Sequence, residues 1–343
     1  MPLESNGLPG VSSARTATYR RVFKSGNEGF AASSYVINGT LSRDAGNTPD
    51  VDVLRAGKLM GKITATGLYA PSVIGVTGEA IDNTETVVDI AAEVATEIIR
   101  RFGSTGTFKV TGPPTAAGTV RSVTATYSAV GATSVTITAL GINEVQTINF
   151  GAAATGGTFK IGFTLASGAL VWTDTIAWSA TDATFLSNMN TAIDNVLGAG
   201  LVVATAIAAT DTDLGFVLTF SGAGYTALPQ SLVAIDAAAL TSVTTVTVTR
   251  TTTGQDGRFV TGSFIQPTDG SETPLTFISD GYGVKVTDEY GTSQSTPFAE
   301  YPISGMIDSS NIVDWPADTA LQTWVANALS IASGGKFTFD HIQ

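Results

Sequence analysis

A short phrase occurs twice in this chain, at an offset of 51 residues. GTFKV at 106–110 recurs as GTFKI at 157–161, and YSA at 127–129 corresponds to WSA at 178–180. A third, weaker copy starts at Gly257 and reaches Ile278 after the same interval of 21 residues. Each copy has the order strand, turn, strand, turn, so the repeat predicts a β-hairpin that is used more than once. No polar cluster accompanies the phrase, and we therefore interpret it as architecture.

The composition favours the same kind of structure. Charged residues make up 13% of the chain, about half the usual share, and Gly, Thr, Ala, Ser and Val dominate it. Side chains branched at Cβ pack well on a pleated surface, and glycine supplies turns. The predicted fold class is mainly β with a few short helices. A surface with so little charge is compatible with solubility when it is covered by copies of the chain or by a larger assembly.

Three segments have apolar residues at helical spacing. The first, 83–103, has Asn83 or Thr84 as the expected N-cap, and the third, 316–334, has Asp318. The exposed or buried state of Trp324 is open, and a core position is favoured. The apolar stripes are Val87, Ala91, Val94, Ile98 and Phe102 in the first segment, Phe185, Met189, Ile193 and Leu197 in the second, and Leu321, Trp324, Val325, Ala328 and Leu329 in the third.

Net charge and residue types exclude several function classes. A net charge of −12 disfavours nucleic acid and anionic membranes as partners, because phosphate contacts need clustered Lys and Arg. The chain has no cysteine, and its one histidine is His341, so a Ser-His-Asp triad or a metal site rich in Cys or His cannot be assembled in one chain. We predict no catalytic, cofactor-binding or metal-binding residues, no cofactor and no enzyme activity.

Paired carboxylates are what an enzyme or a cation site would have to use. Asp211 with Asp213, and Asp288 with Glu289, stand among Gly, Ser and Thr, which is typical of solvated turns. A calcium loop on Asp211 and Asp213 is an open alternative, although the Gly and distal Glu of an EF-hand are missing. A glycosidase is the least favoured interpretation. The chain has no uninterrupted apolar run of about 18 residues, so no transmembrane helix is predicted. No secretory leader is expected either. The lack of cysteine fits synthesis in a cytoplasm.

Changes in residue pattern divide the chain into three parts. Residues 1–50 are expected to be an extended arm, because apolar runs are few there. Residues 51–119 and 255–343 share one style of strand and are expected to form one domain, with 120–254 inserted as a β-sandwich-like domain that carries one helix. The arm is basic up to Lys24, which indicates either a solvated strand edge or an acidic protein partner.

The stretch LRAGKLMGKITATGLYAP at 54–71 resembles the signature of lambda-type head decoration proteins of tailed bacteriophages. Leu68 stands where that family usually has a basic residue. The resemblance implies a β-tulip or barrel-like domain that binds the major capsid protein as a trimer on the outside of an icosahedral head. A separate resemblance, to a β-rich module of phage and prophage virion proteins and of some bacterial surface proteins, implies architecture only. It is carried by NEVQTINF at 143–150, GTFKIGF at 157–163 and AWSATDATFLSNMNTAIDNVLG at 177–198.

The predicted function is that of a structural virion protein, a capsid decoration or cement protein made in the host cytoplasm and located on the capsid. The capsid contacts are expected in the arm, at Tyr19, Arg20, Arg21, Val22, Phe23 and Lys24, where an apolar segment could add to a strand edge. Deletion of residues 1–24 is expected to leave folding intact. Two alternatives stay open, a phage tail-tube or tail-fibre protein and a bacterial surface module with an Ig-like fold.

Overall fold

A computed structural model describes residues 19–24, 28–31, 35–115, 119–208, 211–288, 290–298 and 301–340. Across these ranges the chain forms many short strands, three α-helices and one 3-10 turn. The prediction of a mainly β fold with a few helices is confirmed.

The strands in chain order are β1 (Gly29–Ala31), β2 (Tyr35–Ile37), β3 (Val53–Leu54), β4 (Leu59–Lys62), β5 (Tyr69–Pro71), β6 (Gly75–Val76), β7 (Val87–Asp89), β8 (Gly106–Gly112), β9 (Arg121–Val130), β10 (Ser134–Ile137), β11 (Glu144–Asn149), β12 (Gly156–Thr164), β13 (Leu170–Trp172), β14 (Ile176–Ala177), β15 (Val202–Ala208), β16 (Asp211–Phe220), β17 (Ala234–Asp236), β18 (Leu240–Thr241), β19 (Thr247–Thr252), β20 (Phe264–Gln266), β21 (Thr276–Phe277), β22 (Val284–Lys285), β23 (Thr296–Phe298), β24 (Tyr301–Ile307) and β25 (Phe337–Phe339). The α-helices are α1 (Ala92–Phe102), α2 (Asp182–Leu197) and α3 (Thr319–Ala332), and Ser309–Asn311 form the 3-10 turn.

The chain divides into two compact units. The first contains the described residues of 1–81, 85–138 and 259–343, and the second those of 82–84 and 139–258. The second unit therefore starts at 139 and not at the expected 120, because β9 and β10 pair with β8 and β7 of the first unit. The described part of the expected arm belongs to the first unit as well.

The largest sheet of the first unit has the strand order β6-β20-β8-β9-β10-β7. Its two outer strands meet, since Thr77 bridges Ile90 and the Gly78 N–H donates to the Asp89 carbonyl at 2.7 Å. Alternate residues of β9, Val123, Ala125 and Tyr127, are buried, which is the period of a strand with one face on a core. The sheet therefore curls round a core of apolar side chains, as in a small barrel.

Residues 59–71 of the 54–71 stretch form a β-hairpin in a second sheet of this unit, while Leu54 lies in β3 and pairs with β22. That sheet has the order β21-β4-β5-β2-β23, and β4 pairs with β5 in antiparallel register. The turn closes with hydrogen bonds from Ile63 N–H to Leu68 O (2.8 Å) and from Gly67 N–H to Ile63 O (2.9 Å). Gly67 has φ +72°, a conformation that favours glycine. Two smaller sheets, β1-β24-β25 and β22-β3, complete the strands of the unit.

The second unit has two sheets and one helix around a single core. One sheet has the order β15-β16-β11-β19, and in the other β12 pairs with β13, β14, β17 and β18. The Phe159 ring of β12 lies 5.8 Å from the Phe216 ring of β16 and 5.8 Å from the Phe185 ring of α2. Each element thus contributes an aromatic side chain to one cluster, and the unit is sandwich-like with one helix, as predicted.

Both strong copies of the repeated phrase form the predicted hairpin, and they lie in different units. In the first unit Gly106 pairs with Tyr127 across β8 and β9. In the second unit Thr158 pairs with Ala177, and the Trp178 N–H donates to the Gly157 carbonyl at 3.0 Å. The prediction of a third hairpin is wrong. In the third copy, Phe259 bridges Ile81, and the Ile278 N–H donates to the Lys58 carbonyl at 3.0 Å. The two ends of this copy therefore pair with other segments.

Two of the three predicted helices form as expected. α2 ends at Gly198, and α3 begins after Asp318, whose side chain accepts hydrogen bonds from the N–H groups of Ala320 and Leu321. Trp324 is partly buried and packs on the core. The first helix starts late, at Ala92, because Val87 and Val88 join β10 as strand β7. Residues branched at Cβ suit a pleated strand, and here pairing with β10 decides the structure although the apolar residues have helical spacing.

Candidate particle-binding surface

The segment Tyr19–Lys24 is held on the first unit by backbone hydrogen bonds. Phe23 also forms an antiparallel bridge with Ile307. The segment therefore follows the edge of β24 as an additional short stretch of extended chain. The hydrogen bonds run from Arg20 N–H to Gly281 O (2.9 Å), from Asp308 N–H to Val22 O (2.8 Å) and from Lys24 N–H to Met306 O (2.9 Å).

Two of the six predicted contact residues are part of the protein's own core. Val22 is 2% exposed and Phe23 is 5% exposed. The Phe23 ring lies 5.5 Å from the Phe277 ring and 6.5 Å from the Phe337 ring. These two side chains cannot also cover a capsid strand, and that part of the prediction is corrected. The extended arm is likewise corrected for its described residues, while residues 1–18 lie outside the described ranges.

Exposed Tyr and Arg side chains lie along the same segment. Tyr19 is 59% exposed and Tyr282 is 52% exposed, and their rings meet edge to face with centroids 5.2 Å apart. Arg21 is exposed and Arg20 is half-buried. Tyr and Arg are the residue types that most often dominate binding energy in protein interfaces. We name these four residues the Tyr–Arg surface.

A glycine is what allows the tyrosine pair to form. A Cβ at Gly281 would lie 2.2 Å from an atom of the Tyr19 ring, closer than any real contact. The Tyr19 ring therefore lies directly on the backbone beside Tyr282, and any side chain at 281 would displace it. The sequence DGYG at 280–283 predicts an ordinary turn and does not by itself indicate that the Tyr19 ring packs on Gly281.

The end of the segment is joined to the last strand by an ion pair. The Lys24 ammonium contacts the Asp340 carboxylate, which also accepts a hydrogen bond from the Ser309 N–H at 3.1 Å. Burial alone would raise the pKa of Asp340, but the hydrogen bonds from Lys24 and Ser309 lower it to about 2. The same pair raises the pKa of Lys24, mainly through its hydrogen bond to Asp340. Lys24 is thus paired within the chain.

The turn at 308–314 connects the Tyr19–Lys24 segment to the 54–71 stretch. The Asn311 amide donates to the Arg21 carbonyl at 3.1 Å, and the Val313 N–H donates to the Gly57 carbonyl at 3.1 Å. Gly57 has φ +83°, and a Cβ there would lie 2.1 Å from the Asn311 oxygen. A residue other than glycine at 57 would therefore separate the turn from the 54–71 stretch.

Four charged side chains form a network at this turn, in which Asp44 and Lys58 are buried, Asp314 is 10% exposed and Arg55 is 28% exposed. The Lys58 ammonium is 2.8 Å from the Asp314 carboxylate and 3.8 Å from the Asp44 carboxylate, and Arg55 Nε is 2.6 Å from Asp44. Burial alone would lower the pKa of Lys58, but Asp314 and Asp44 outweigh it and raise the pKa. Two cations and two carboxylates balance, which is the condition for burying charge. Sequence reasoning missed both acidic partners: Asp314 is 256 residues from Lys58, and Asp44, 11 residues before Arg55, falls in the segment that was expected to be an arm.

The carboxylates considered as a cation site or a catalytic pair lie, where the structure describes them, in a strand and in a turn. Asp211 and Asp213 begin strand β16 and do not form a turn, so that expectation is wrong. Asp288 does lie in a turn, where the Thr292 and Tyr290 N–H groups donate to it and lower its pKa. Glu289 and His341 lie outside the described residues. Within the described ranges, no three His, Cys, Asp or Glu residues come together in a way that could hold a metal ion.

The comparison with models of protein families gives no match, and the comparison with curated proteins gives none either. In the part of the chain that the structure describes, no helix combines the length and apolar character needed to cross a membrane.

Proposed function

We propose that this chain is a structural virion protein, a decoration or cement protein that binds the outer surface of an icosahedral phage head. The resemblance of residues 54–71 to head decoration proteins suggests the class, and the Tyr–Arg surface is the observation that carries the proposal. It joins exposed interface-type residues to the hairpin that bears the resemblance, through the turn at 308–314. The partner is the major capsid protein.

The Tyr–Arg surface is organised before any partner binds. Ordering a free backbone costs about 1–2 kcal/mol per residue. For Tyr19–Lys24 this backbone entropy is lost when the chain folds and not when it binds, because Val22 and Phe23 are buried in the core of the first unit. Binding then uses a surface whose geometry is already set, which favours affinity.

Several copies of the chain would bind together more tightly than one. A single surface of two tyrosines and two arginines is small for a stable interface. If the chain is a trimer, as the resemblance implies, three such surfaces engage one particle at a high effective concentration. The arginines favour an acidic partner, and exposed charge pairs weaken as salt rises.

Co-sedimentation with undecorated phage heads tests the proposal. We expect Arg20→Glu/Arg21→Glu and Tyr19→Ala to reduce the bound fraction, and the charge-reversed variant to lose most of its salt dependence. Lys160→Glu, an exposed charge reversal in the second unit, is the matched control and should bind as the parent chain does. Circular dichroism of each variant should be unchanged.

The outcomes separate the proposal from its alternatives. If both Tyr–Arg variants bind as well as the parent chain, the Tyr–Arg surface is not the capsid contact. Residues 54–71 then become the expected contact. Failure of the unaltered chain to bind heads would contradict the decoration role itself. Binding in a few copies at the tail, seen by electron microscopy, would favour the tail-protein alternative, because decoration proteins occupy many equivalent positions on a head.

A further inference from the structure

The second unit has an open hollow of about 730 Å³ that is separate from the surface described above. It lies between the turn that joins β12 to β13 and the loop that follows β16. The volume is in the range of small-molecule sites, which is roughly 300–1,000 Å³. Its main side chains are Thr164, Tyr225, Leu228, Pro229, Gln230 and Ser231.

The lining combines hydroxyl and amide groups with apolar surface. Thr164, Ser231 and Gln230 supply neutral hydrogen-bonding groups, while Tyr225 and Leu228 supply an aromatic ring and an aliphatic face. Among the residues that the structure describes, no Asp, Glu, Lys or Arg belongs to the lining. A charged ligand would lose its hydration there without an opposite charge in return, so the hollow favours a neutral one.

The wall that carries Tyr225 is held by its own side-chain contacts. The Tyr225 ring packs on the buried Phe220 ring, with centroids 6.0 Å apart. The Thr226 hydroxyl donates to the Ser221 carbonyl at 2.6 Å, and the Ala227 N–H donates to Asn143 Oδ1 at 3.0 Å. The ring is therefore presented at a defined position.

The wall at 230–233 is held by two polar side chains of the neighbouring sheet, the buried Gln146 and the partly exposed Arg250. Gln146, which is fully buried, donates to the Ser231 carbonyl at 2.9 Å and accepts from the Val233 N–H at 2.9 Å. Arg250 donates to the Gln230 carbonyl and pairs with the buried Glu144, with Nε 2.5 Å from Oε1. A buried polar group is costly unless it is bonded, and Gln146 meets that condition through the backbone of this loop. The arrangement fixes the wall before a ligand arrives.

We propose that this hollow binds a neutral saccharide. A sugar ring has hydroxyl groups at its edge and C–H faces, and the lining offers both kinds of partner side by side. Tyr225 can cover a C–H face, and Thr164, Gln230 and Ser231 can bond the hydroxyls. The proposal concerns the second unit alone and does not depend on the decoration role.

The test measures binding of saccharides to the full chain by saturation-transfer NMR and calorimetry. The probes are maltotriose, cellotriose and the trimer of N-acetylglucosamine, with sialyllactose as a charged comparison. We expect at least one neutral probe to bind with a Kd of about 1 mM or tighter. Ala166 also lines the hollow. Ala166→Trp therefore places an indole in it and should weaken that binding at least about tenfold. Ser167→Trp, one residue along the same exposed turn and outside the lining, is the matched control and should bind normally.

Gln230→Ala gives a second, smaller perturbation and should weaken binding without changing thermal unfolding. Absence of binding for all three neutral probes would overturn the proposal. Equal binding by Ala166→Trp and the parent chain would overturn the location. Binding of sialyllactose alone would overturn the inference of a neutral ligand.

Discussion

Replacement of Phe23 by alanine distinguishes a docked segment from a free arm. Phe23 is 5% exposed and lies among the rings of Phe277, Phe337 and Phe30. Alanine would remove the whole ring and leave a cavity where three aromatic side chains meet. In a free arm the same substitution would change nothing in the folded protein.

The expected loss follows from the burial of the ring. Replacing a buried Phe by Ala costs about 3–5 kcal/mol, the sum of lost transfer free energy and the cavity. The backbone of the first unit bridges Phe23 at Ile307, so the surroundings cannot fully collapse into the space. Tyr19→Ala is the matched control four residues away. Since Tyr19 is mostly exposed, its loss should cost less than about 1 kcal/mol.

Urea unfolding followed by tryptophan fluorescence measures the difference. Trp315 and Trp324 pack against the cluster that contains Phe23, and they report on the first unit. Trp172→Phe and Trp178→Phe in the background remove the signal of the second unit. A loss below about 1 kcal/mol for Phe23→Ala would refute the docked segment, as would unchanged unfolding after deletion of residues 1–24. We now expect that deletion to destabilise the first unit.

Three further predictions follow from the packing. Lys58→Met should destabilise the first unit by about 3–5 kcal/mol, measured by urea unfolding, because it leaves the buried Asp314 without its cation. The pKa of Asp340 is about 2 in the folded chain against 3.8 ordinarily, so its stabilising effect should be present above pH 4 and lost as the pH falls towards 2; Asp340→Asn should flatten that part of a melting-temperature profile. A fragment of residues 139–258 should unfold cooperatively by circular dichroism, and adding 120–138 should not raise its melting temperature, because those strands pair in the first unit.

Local patterns predicted the elements whose stability is local. Helices α2 and α3 have an apolar stripe, a start and a glycine near the end within one short window. The two hairpins that contain the repeated phrase also close within about 20 residues, so the strand and its partner are neighbours along the chain. In these cases the information lies within the reach of a turn or a helical period.

The erroneous predictions share a different cause. Val87 fits a helical stripe, yet Val87 and Val88 form a strand that pairs with β10, some 45 residues away in sequence. Residues 19–24 have too few apolar side chains to suggest a core, yet Val22 and Phe23 pack in one cluster with buried side chains of β24 and α3. Low local hydrophobicity predicts disorder only when no distant surface accepts the few apolar residues present.

By itself, the sequence determined that the chain is mainly β, where two of its helices lie and which segments form its repeated hairpin, because side-chain period and turn residues act over a few positions. Tertiary structure alone decided the closing of the six-stranded sheet between Thr77 and Ile90, the partners of Lys58 and Arg55, and the walls of the hollow beside Tyr225. Each of these depends on contacts that no local pattern indicates, and the pair of Lys58 with Asp314 joins residues 256 positions apart. Such contacts form only when the total burial of many elements outweighs the entropy of closing the loops between them.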